Sequence, residues 1–260
     1  MVAGAKLRRS QEELFAFRPY ADRLSVIARR FAAAHPGFDH PLLNDGNLDA
    51  PAGLVLITSD TGLCGTYNER VFALAANFLK EFPSARVVAI GRKGSRSLIR
   101  REGIVFLKEP VSWGGKYDPA DVLPFVDWME QLFLSGQISS WYVAHTQFLS
   151  ALQWKPIVPR LFPLERPESD AGFSEKLIVE PDSASVADQL LRQFVRAQFA
   201  RMLLEAFTAE HSARMVAMKN ATENADDMIK RLTLIRNKAR QAAITKELIE
   251  VVSGAQAAMQ

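Results

Sequence analysis

The chain has 260 residues, 48% of them hydrophobic and 23% charged, with a formal net charge of +3. Those are the proportions of an ordinary soluble protein of one large or two modest domains, and so mild a charge gives no whole-protein attraction to nucleic acid. No apolar run approaches the roughly eighteen residues that read as a membrane span, and the one cysteine, Cys64, excludes an internal disulfide and fits a reducing compartment.

The first segment is basic, with Lys6, Arg8, Arg9, Arg18, Arg23, Arg29 and Arg30 set against Glu12, Glu13 and Asp22. Its acidic residues and scarcity of Ser argue against a transit peptide. Ala3, Leu7, Ser10, Leu14, Phe17, Ala21, Leu24, Ala28 and Phe31 step by four and three. That spacing predicts a heptad helix from Val2 to Ala34, ended by His35-Pro36-Gly37. Pro19 removes one backbone donor and predicts a kink near Phe15 to Arg18.

Asp39 to Ala52 reads as a loop, and an α/β pattern follows. Leu54 to Thr58 is a buried strand, Asn68 to Phe82 a helix, Ala85 to Ile90 a strand and Arg92 to Glu102 a helix. Ile104 to Leu107 reads as a short strand. Pro119 to Ser135 is a helix capped by Asp118, and Ser140 to Thr146 a further strand. Alternation of this kind implies a mainly parallel sheet covered on both faces. Pro156, Pro159, Pro163 and Pro167 make the next stretch extended, with an edge strand through Arg160 to Leu164.

From Ser183 to Gly254 the chain runs some seventy residues with neither Gly nor Pro between them. One register reads Ala197, Ala200, Leu204, Phe207, His211, Arg214, Met218, Ala221, Ala225, Met228, Leu232, Ile235, Ala239, Ala242, Lys246 and Ile249. Steps of three and four imply a left-handed supercoil against another helix. The helix, capped by Asp182 or Ser183, is about 100 Å long. Two heptad helices at opposite ends of one chain suit an antiparallel coiled coil with the α/β part at one end. The predicted class is therefore α/β with long terminal helices. The expected domains are 1–35, a coiled-coil helix; 36–180, a Rossmann-like α/β domain; and 181–260, a second coiled-coil helix.

Candidate sites are few. Thr58 to Asn68 leaves a strand and opens a helix with two glycines, the place where an α/β sheet binds phosphate. It lacks both the Walker lysine and the GxGxxG spacing, so a tight turn competes with a ligand site. Gly91 to Ser95, with Arg92, Lys93 and Arg96, is a basic turn that reads as a solvated loop. Cys64 has no base at dyad spacing, and His35, His40, His145 and His211 are scattered. Trp113, Trp128, Trp141 and Trp154 fit core packing. No catalytic set, metal cluster or cofactor motif presents itself, and no cofactor is expected. Arg236, Asn237, Lys238, Arg240 and Gln241 make a polar stripe that reads as plain solvated surface or, beside the small seam residues Ala239 and Ala242, as part of a thin shaft inside a close sleeve.

Ser212 to Ala225 and Asn237 to Leu248 closely resemble the signatures of the F-type ATP synthase gamma subunit family, the rotary central stalk. Ser59-Asp60-Thr61-Gly62-Leu63-Cys64-Gly65, Ala3 to Arg9, Arg18-Pro19-Tyr20-Ala21 and Glu180-Pro181-Asp182 look like other parts of it, while Phe82 to Ser174 matches in layout more than in letters. The resemblance implies a rotor that couples ion flow through the membrane c-ring to the conformations of catalytic beta subunits, with no bond chemistry of its own. It implies alpha, beta and epsilon subunits and the c-ring as partners, no nucleic acid, and a peripheral place on the cytoplasmic face of the bacterial inner membrane. Lys6, Arg8 and Arg9 match the family's basic collar facing acidic beta loops, and Val179 and Glu180 the foot that meets the c-ring. Arg240 and Gln241, flanked by Arg236 and Lys238, match its polar contact with the catalytic ring. Thr61 stands where the family usually has Arg. About two dozen family residues precede the position matched by Met1, which leads us to expect that Met1 is an internal methionine; those residues would lie against the chain from about Lys238 onward. A static coiled-coil adaptor and an α/β nucleotide-binding enzyme are the alternatives.

Overall fold

A computed structural model describes residues 2–35, 38–99, 104–165, 179–180 and 182–258. The chain divides into two compact units, Met1–Val216 and Ala217–Gln260.

The first unit is built on a sheet ordered β3-β2-β1-β4-β5. Here β1 is Gly53–Ile57, β2 Arg86–Ile90, β3 Val105–Phe106, β4 Trp141–Ser150 and β5 Gln153–Ile157. The first four pair in parallel, β1 lying between β2 and β4 with Leu54 opposite Val87 and Tyr142. β5 runs antiparallel to β4, and so does β6, Arg160–Phe162. Every residue of β1 is buried, as a central strand covered on both faces requires.

The two faces separate by alternation. Leu54 and Leu56 face helix α2, Tyr67–Glu81, and pack with its Val71, Phe72, Ala75 and Phe78. Val55 and Ile57, with Val88, Ile90 and Val143, face helix α4, Pro119–Leu134, through Val122, Phe125, Val126, Met129 and Phe133. The Asp118 carboxylate accepts from the Ala120 amide and caps α4, worth about 1 kcal/mol. Trp113, Phe125, Trp128 and Trp141 form a chain of ring contacts at 5.4 to 5.9 Å, and Trp154 packs against the cluster of Leu14, Tyr67 and Phe148, so all four tryptophans pack in or against the core.

The long helix α5, Ser183–Ala258, begins within this core. Its Leu191, Val195, Phe199 and Leu203 pack on the α4 face of the sheet, and the Phe199 ring stacks on Phe125 at 5.5 Å. Charged pairs fasten the same face. Arg196 donates to Asp127 at 2.8 Å, and Arg192 joins Asp188 to the buried Glu130. The helix is thus a structural member of the α/β domain before it is one half of a coiled coil. Asp182 caps it, accepting from the Ser185 amide at 2.8 Å.

Several expectations change. β4 runs on to Ser150, and β5 was not predicted as a strand; Pro156 is tolerated there because β5 sits at the sheet's edge. The helix after β2, α3, is Arg92–Ile99, and the predicted continuation to Glu102 lies outside the described residues. The first helix, α1, is Val2–Ala34 as predicted, with Pro19 inside it. The predicted edge strand at Arg160 ends at Phe162 rather than Leu164.

The second unit is a single stretch of α5. From Lys219 to Ala255 its residues are exposed apart from the half-buried Thr233. Met228, Leu232, Ile235 and Ile249 of the predicted seam each show between 57 and 64% of their surface.

Candidate functional site

Helices α1 and α5 run antiparallel within the first unit. Ser10 meets Thr208, Asp22 meets Arg201, Ser25 meets Gln198 and His35 meets Ser183. The buried stripe of α1 is Leu7, Ser10, Leu14, Ala21, Ala28 and Phe31, the heptad positions of the sequence. At the centre of the seam the two hydroxyls of Ser10 and Thr208 lie 2.8 Å apart, and Thr208 also donates to the Leu204 carbonyl at 2.7 Å. Nearby, the half-buried Arg201 joins Asp22 to Glu205, whose carboxyl is pushed up by burial against the pull of Arg201 and Arg18.

The loop after β1 is held by its own side chains. The Ser59 amide donates to Asn68 Oδ1, and Asn68 Nδ2 donates to Ser59 Oγ at 2.8 Å and to Cys64 Sγ at 3.3 Å. Asp60 accepts from the Arg92 amide at 3.0 Å and from Ser112 Oγ and the Gly114 amide at 2.8 Å. Thr58 Oγ1 accepts from the Gly94 amide. Gly91 sits at φ +98 against the Thr58 carbonyl, where a Cβ would overlap it; glycine is required there. At this strand-to-helix turn the Ser59 amide is taken by Asn68 Oδ1 and the Tyr67 amide by the Cys64 carbonyl.

The space above that loop is filled as well. In an open parallel sheet, ligands sit beyond the strand ends where the strand order reverses, here between β1 and β4. Leu14 of α1, Cys64, Tyr67, Phe148, and Leu204, Ala209 and Ala213 of α5 form one buried cluster there. The Tyr67 hydroxyl donates to the Ala206 carbonyl at 3.0 Å, and burial, reinforced by Glu210, pushes its pKa well above the usual tyrosine value. Arg214 closes the top. Its guanidinium donates to the Gly62 carbonyl at 3.2 Å, the Thr61 carbonyl at 3.1 Å, Thr61 Oγ1 at 2.9 Å and Glu210 at 2.7 Å. Glu210 is held above the usual carboxylate range by burial, against the pull of Arg214. His211 is driven down to about 4 by burial, then by Arg214 and Lys6. The loop is a socket for the two long helices, and Cys64 is buried in it.

The residues expected to meet partners sit elsewhere. Lys6, Arg8 and Arg9 are exposed on α1, with Arg8 near Glu12 at 3.4 Å and Arg9 near Glu13 at 3.2 Å. Val179 is half-buried and Glu180 exposed just ahead of α5. Arg236, Lys238, Arg240 and Gln241 are exposed on the second unit. Sequence reasoning missed Arg214 and Glu210 as the grip on the loop. Their i, i+4 spacing was a visible signal for an ion pair, but nothing in the spacing marked Thr61 and Gly62 as the other side.

A family model described as ATP synthase matches residues 1–258. A gamma chain of ATP synthase from Pelotomaculum thermopropionicum is 39% identical over 98% of this chain and 90% of its own length. One from Burkholderia ambifaria is 38% identical over 99% and 91%. Among solved structures, a chain of the Euglena gracilis mitochondrial ATP synthase covers 98% of this chain and 95% of its own length, with a TM-score of 0.59 at 16% identity. A chain of the central stalk and c-ring assembly of Tetrahymena thermophila mitochondrial ATP synthase matches at a TM-score of 0.58 and 16% identity, over 85% and 100%. At that identity the two structures speak for the fold, while the two gamma chains speak for descent. The chain belongs to the ATP synthase gamma chain family.

Proposed function

We propose that this chain is the central rotor stalk of an F-type ATP synthase, coupling ion flow through a membrane c-ring to conformational changes in catalytic beta subunits. The carrying observation is a 76-residue helix that is rooted in an α/β core and exposes an apolar seam over its last part. The exposed Ile244, Leu248, Ile249, Val251 and Val252 call for burial against partner protein. Its partners are alpha and beta subunits around the C-terminal stretch, and an epsilon subunit with the c-ring at the foot. Coupling is mechanical, a forced shift among beta conformations. The chain acts at the cytoplasmic face of a bacterial inner membrane as a peripheral protein.

Within this reading, Lys6, Arg8 and Arg9 face acidic loops of beta, Val179 and Glu180 lie in the foot, and Arg236, Lys238, Arg240 and Gln241 contact the catalytic ring. The working division is 1–35 and 181–260 for the shaft and 36–180 for the foot. The test is deletion and complementation. Cells lacking the chain lose coupled ATP synthesis while alpha and beta subunits remain, and an affinity-tagged copy restores it and co-purifies with alpha, beta and epsilon. A tagged chain that purifies alone from synthesising membranes rejects the proposal.

A further inference from the structure

The β4–β5 hairpin meets both long helices. Phe148, near the end of β4, is buried in one cluster with Leu14 of α1 and Leu204, Ala209 and Ala213 of α5. The pairing of β4 with β5 shifts register between Phe148 and Ser150, an irregularity of the kind that bends a strand and re-aims it. Ser150 Oγ closes the turn, accepting from the Gln153 amide at 3.1 Å. One side chain from each helix then reaches the hairpin's backbone. Arg18 of α1 donates to the Phe148 carbonyl at 3.0 Å, and Ser212 of α5 donates to the Ala151 carbonyl.

Arg18 is held in place by its neighbours. Its guanidinium lies 3.8 Å from the buried Glu205 of α5 and 5.3 Å from the centre of the Phe15 ring. A cation that would be costly to bury alone is thus balanced, and its bond to Phe148 is charge-assisted, the stronger kind. The α1–α5 seam is weak at this level. Between Leu14 and Phe31 the described residues of α1 that are buried are Ala21 and Ala28. Such small knobs fill their holes shallowly and give a sliding helix little to climb over. Pro19, in the same stretch, lacks the amide that would bond back to the Phe15 carbonyl.

We propose that the β4–β5 hairpin is a bracket that keeps α1 in register with α5, with Arg18 as the positioning residue on α1 and Ser212 as its counterpart on α5. Turning of the α/β domain then carries both helices together instead of dragging one past the other. The inference rests on the gamma-chain reading and adds to it a part of the α/β domain that holds the two helices as one body.

The test uses membrane vesicles carrying the complete complex and reads the cation pumped per ATP hydrolysed. Arg18→Gln is expected to lower that ratio by up to about fivefold, the factor by which one net hydrogen bond shifts a two-state register, while subunit content and hydrolysis persist. Arg18→Lys, which keeps a charge beside Glu205, recovers part of the loss. Ser212→Ala lowers the ratio in the same sense and carries the test if Arg18→Gln does not accumulate. The decisive arm adds Ser10→Cys and Thr208→Cys, at positions whose hydroxyls lie 2.8 Å apart, to either variant. Oxidation with copper phenanthroline fixes the register covalently and should restore the ratio, and dithiothreitol should abolish the rescue; a merely structural role for Arg18 would not respond to this cross-link. Cys64 is buried and does not compete. Variants that both pump at the wild-type ratio overturn the bracket and leave the gamma-chain reading standing, and so does a loss that the oxidised seam leaves unchanged. A chain that does not co-purify with alpha and beta subunits overturns both.

Discussion

Ser10 and Thr208 share a hydrogen bond of 2.8 Å inside the α1–α5 seam, although 198 residues separate them. Both are buried, and the Thr208 hydroxyl also reaches the Ser10 and Leu204 carbonyls. A polar pair in an apolar seam fixes register, because any shift along the seam leaves a hydroxyl without a partner.

Thr208→Val keeps the shape and strips Ser10 of its partner. The expected cost is about 1 to 2 kcal/mol of stability. The double variant with Ser10→Ala recovers most of it, because neither side is then left unsatisfied. Urea unfolding of the four proteins of this cycle measures the coupling, and additive costs refute the register role.

Acid should weaken the α/β domain through His145. Burial holds its pKa down at about 4, against 6.5 for the exposed side chain. The unfolded chain therefore takes up a proton that the folded one refuses. Stability from this group is complete above pH 6.5 and is lost as pH falls toward 4, by up to roughly 3 kcal/mol. His211 acts in the same sense. Glu205 and Glu210, pushed up by burial, act in the opposite one; their contribution is lost as pH rises through the raised range. The difference between wild type and His145→Asn isolates the histidine, and it should shrink from pH 7 to pH 4. A constant difference contradicts the assignment.

Arg240→Ala should weaken coupling more than it weakens the fold. The side chain is exposed on the second unit, so its loss changes stability by less than about 0.5 kcal/mol. ATP synthesis by an assembled complex should fall several-fold. Unchanged synthesis at normal assembly removes Arg240 from the contact with the catalytic ring.

Without its partners the chain should associate with itself. Met228, Ile229, Leu232, Leu234, Ile235, Leu248, Ile249, Val251 and Val252 are all more than half exposed. Exposed apolar surface of this extent promotes association. Leu232→Glu with Ile235→Glu should raise the monomer fraction in sedimentation velocity, and a wild-type chain monomeric at high micromolar concentration defeats the prediction.

The sequence told most where the periodicity was strong. The heptads of α1 and α5, the buried run of β1 and the cap at Asp118 could all be read from spacing and residue type. β5 was obscured by Pro156 and by a turn, Ser150 to Gln153, that carries neither Gly nor Asn. The double duty of α5 was hidden for another reason. Leu191, Val195 and Phe199 repeat at helical spacing whether they face a helix or a sheet, so the pattern reveals burial and not the neighbour. The Arg214 grip joins residues more than 150 positions apart, and no local rule reaches that far.

The crevice above β1 and β4 is occupied by Leu14, Tyr67, Leu204 and Ala213 of the same chain. A cleft stoppered from within ties the sheet straight to both long helices, so that a push on either is passed to the domain through side chains already in contact.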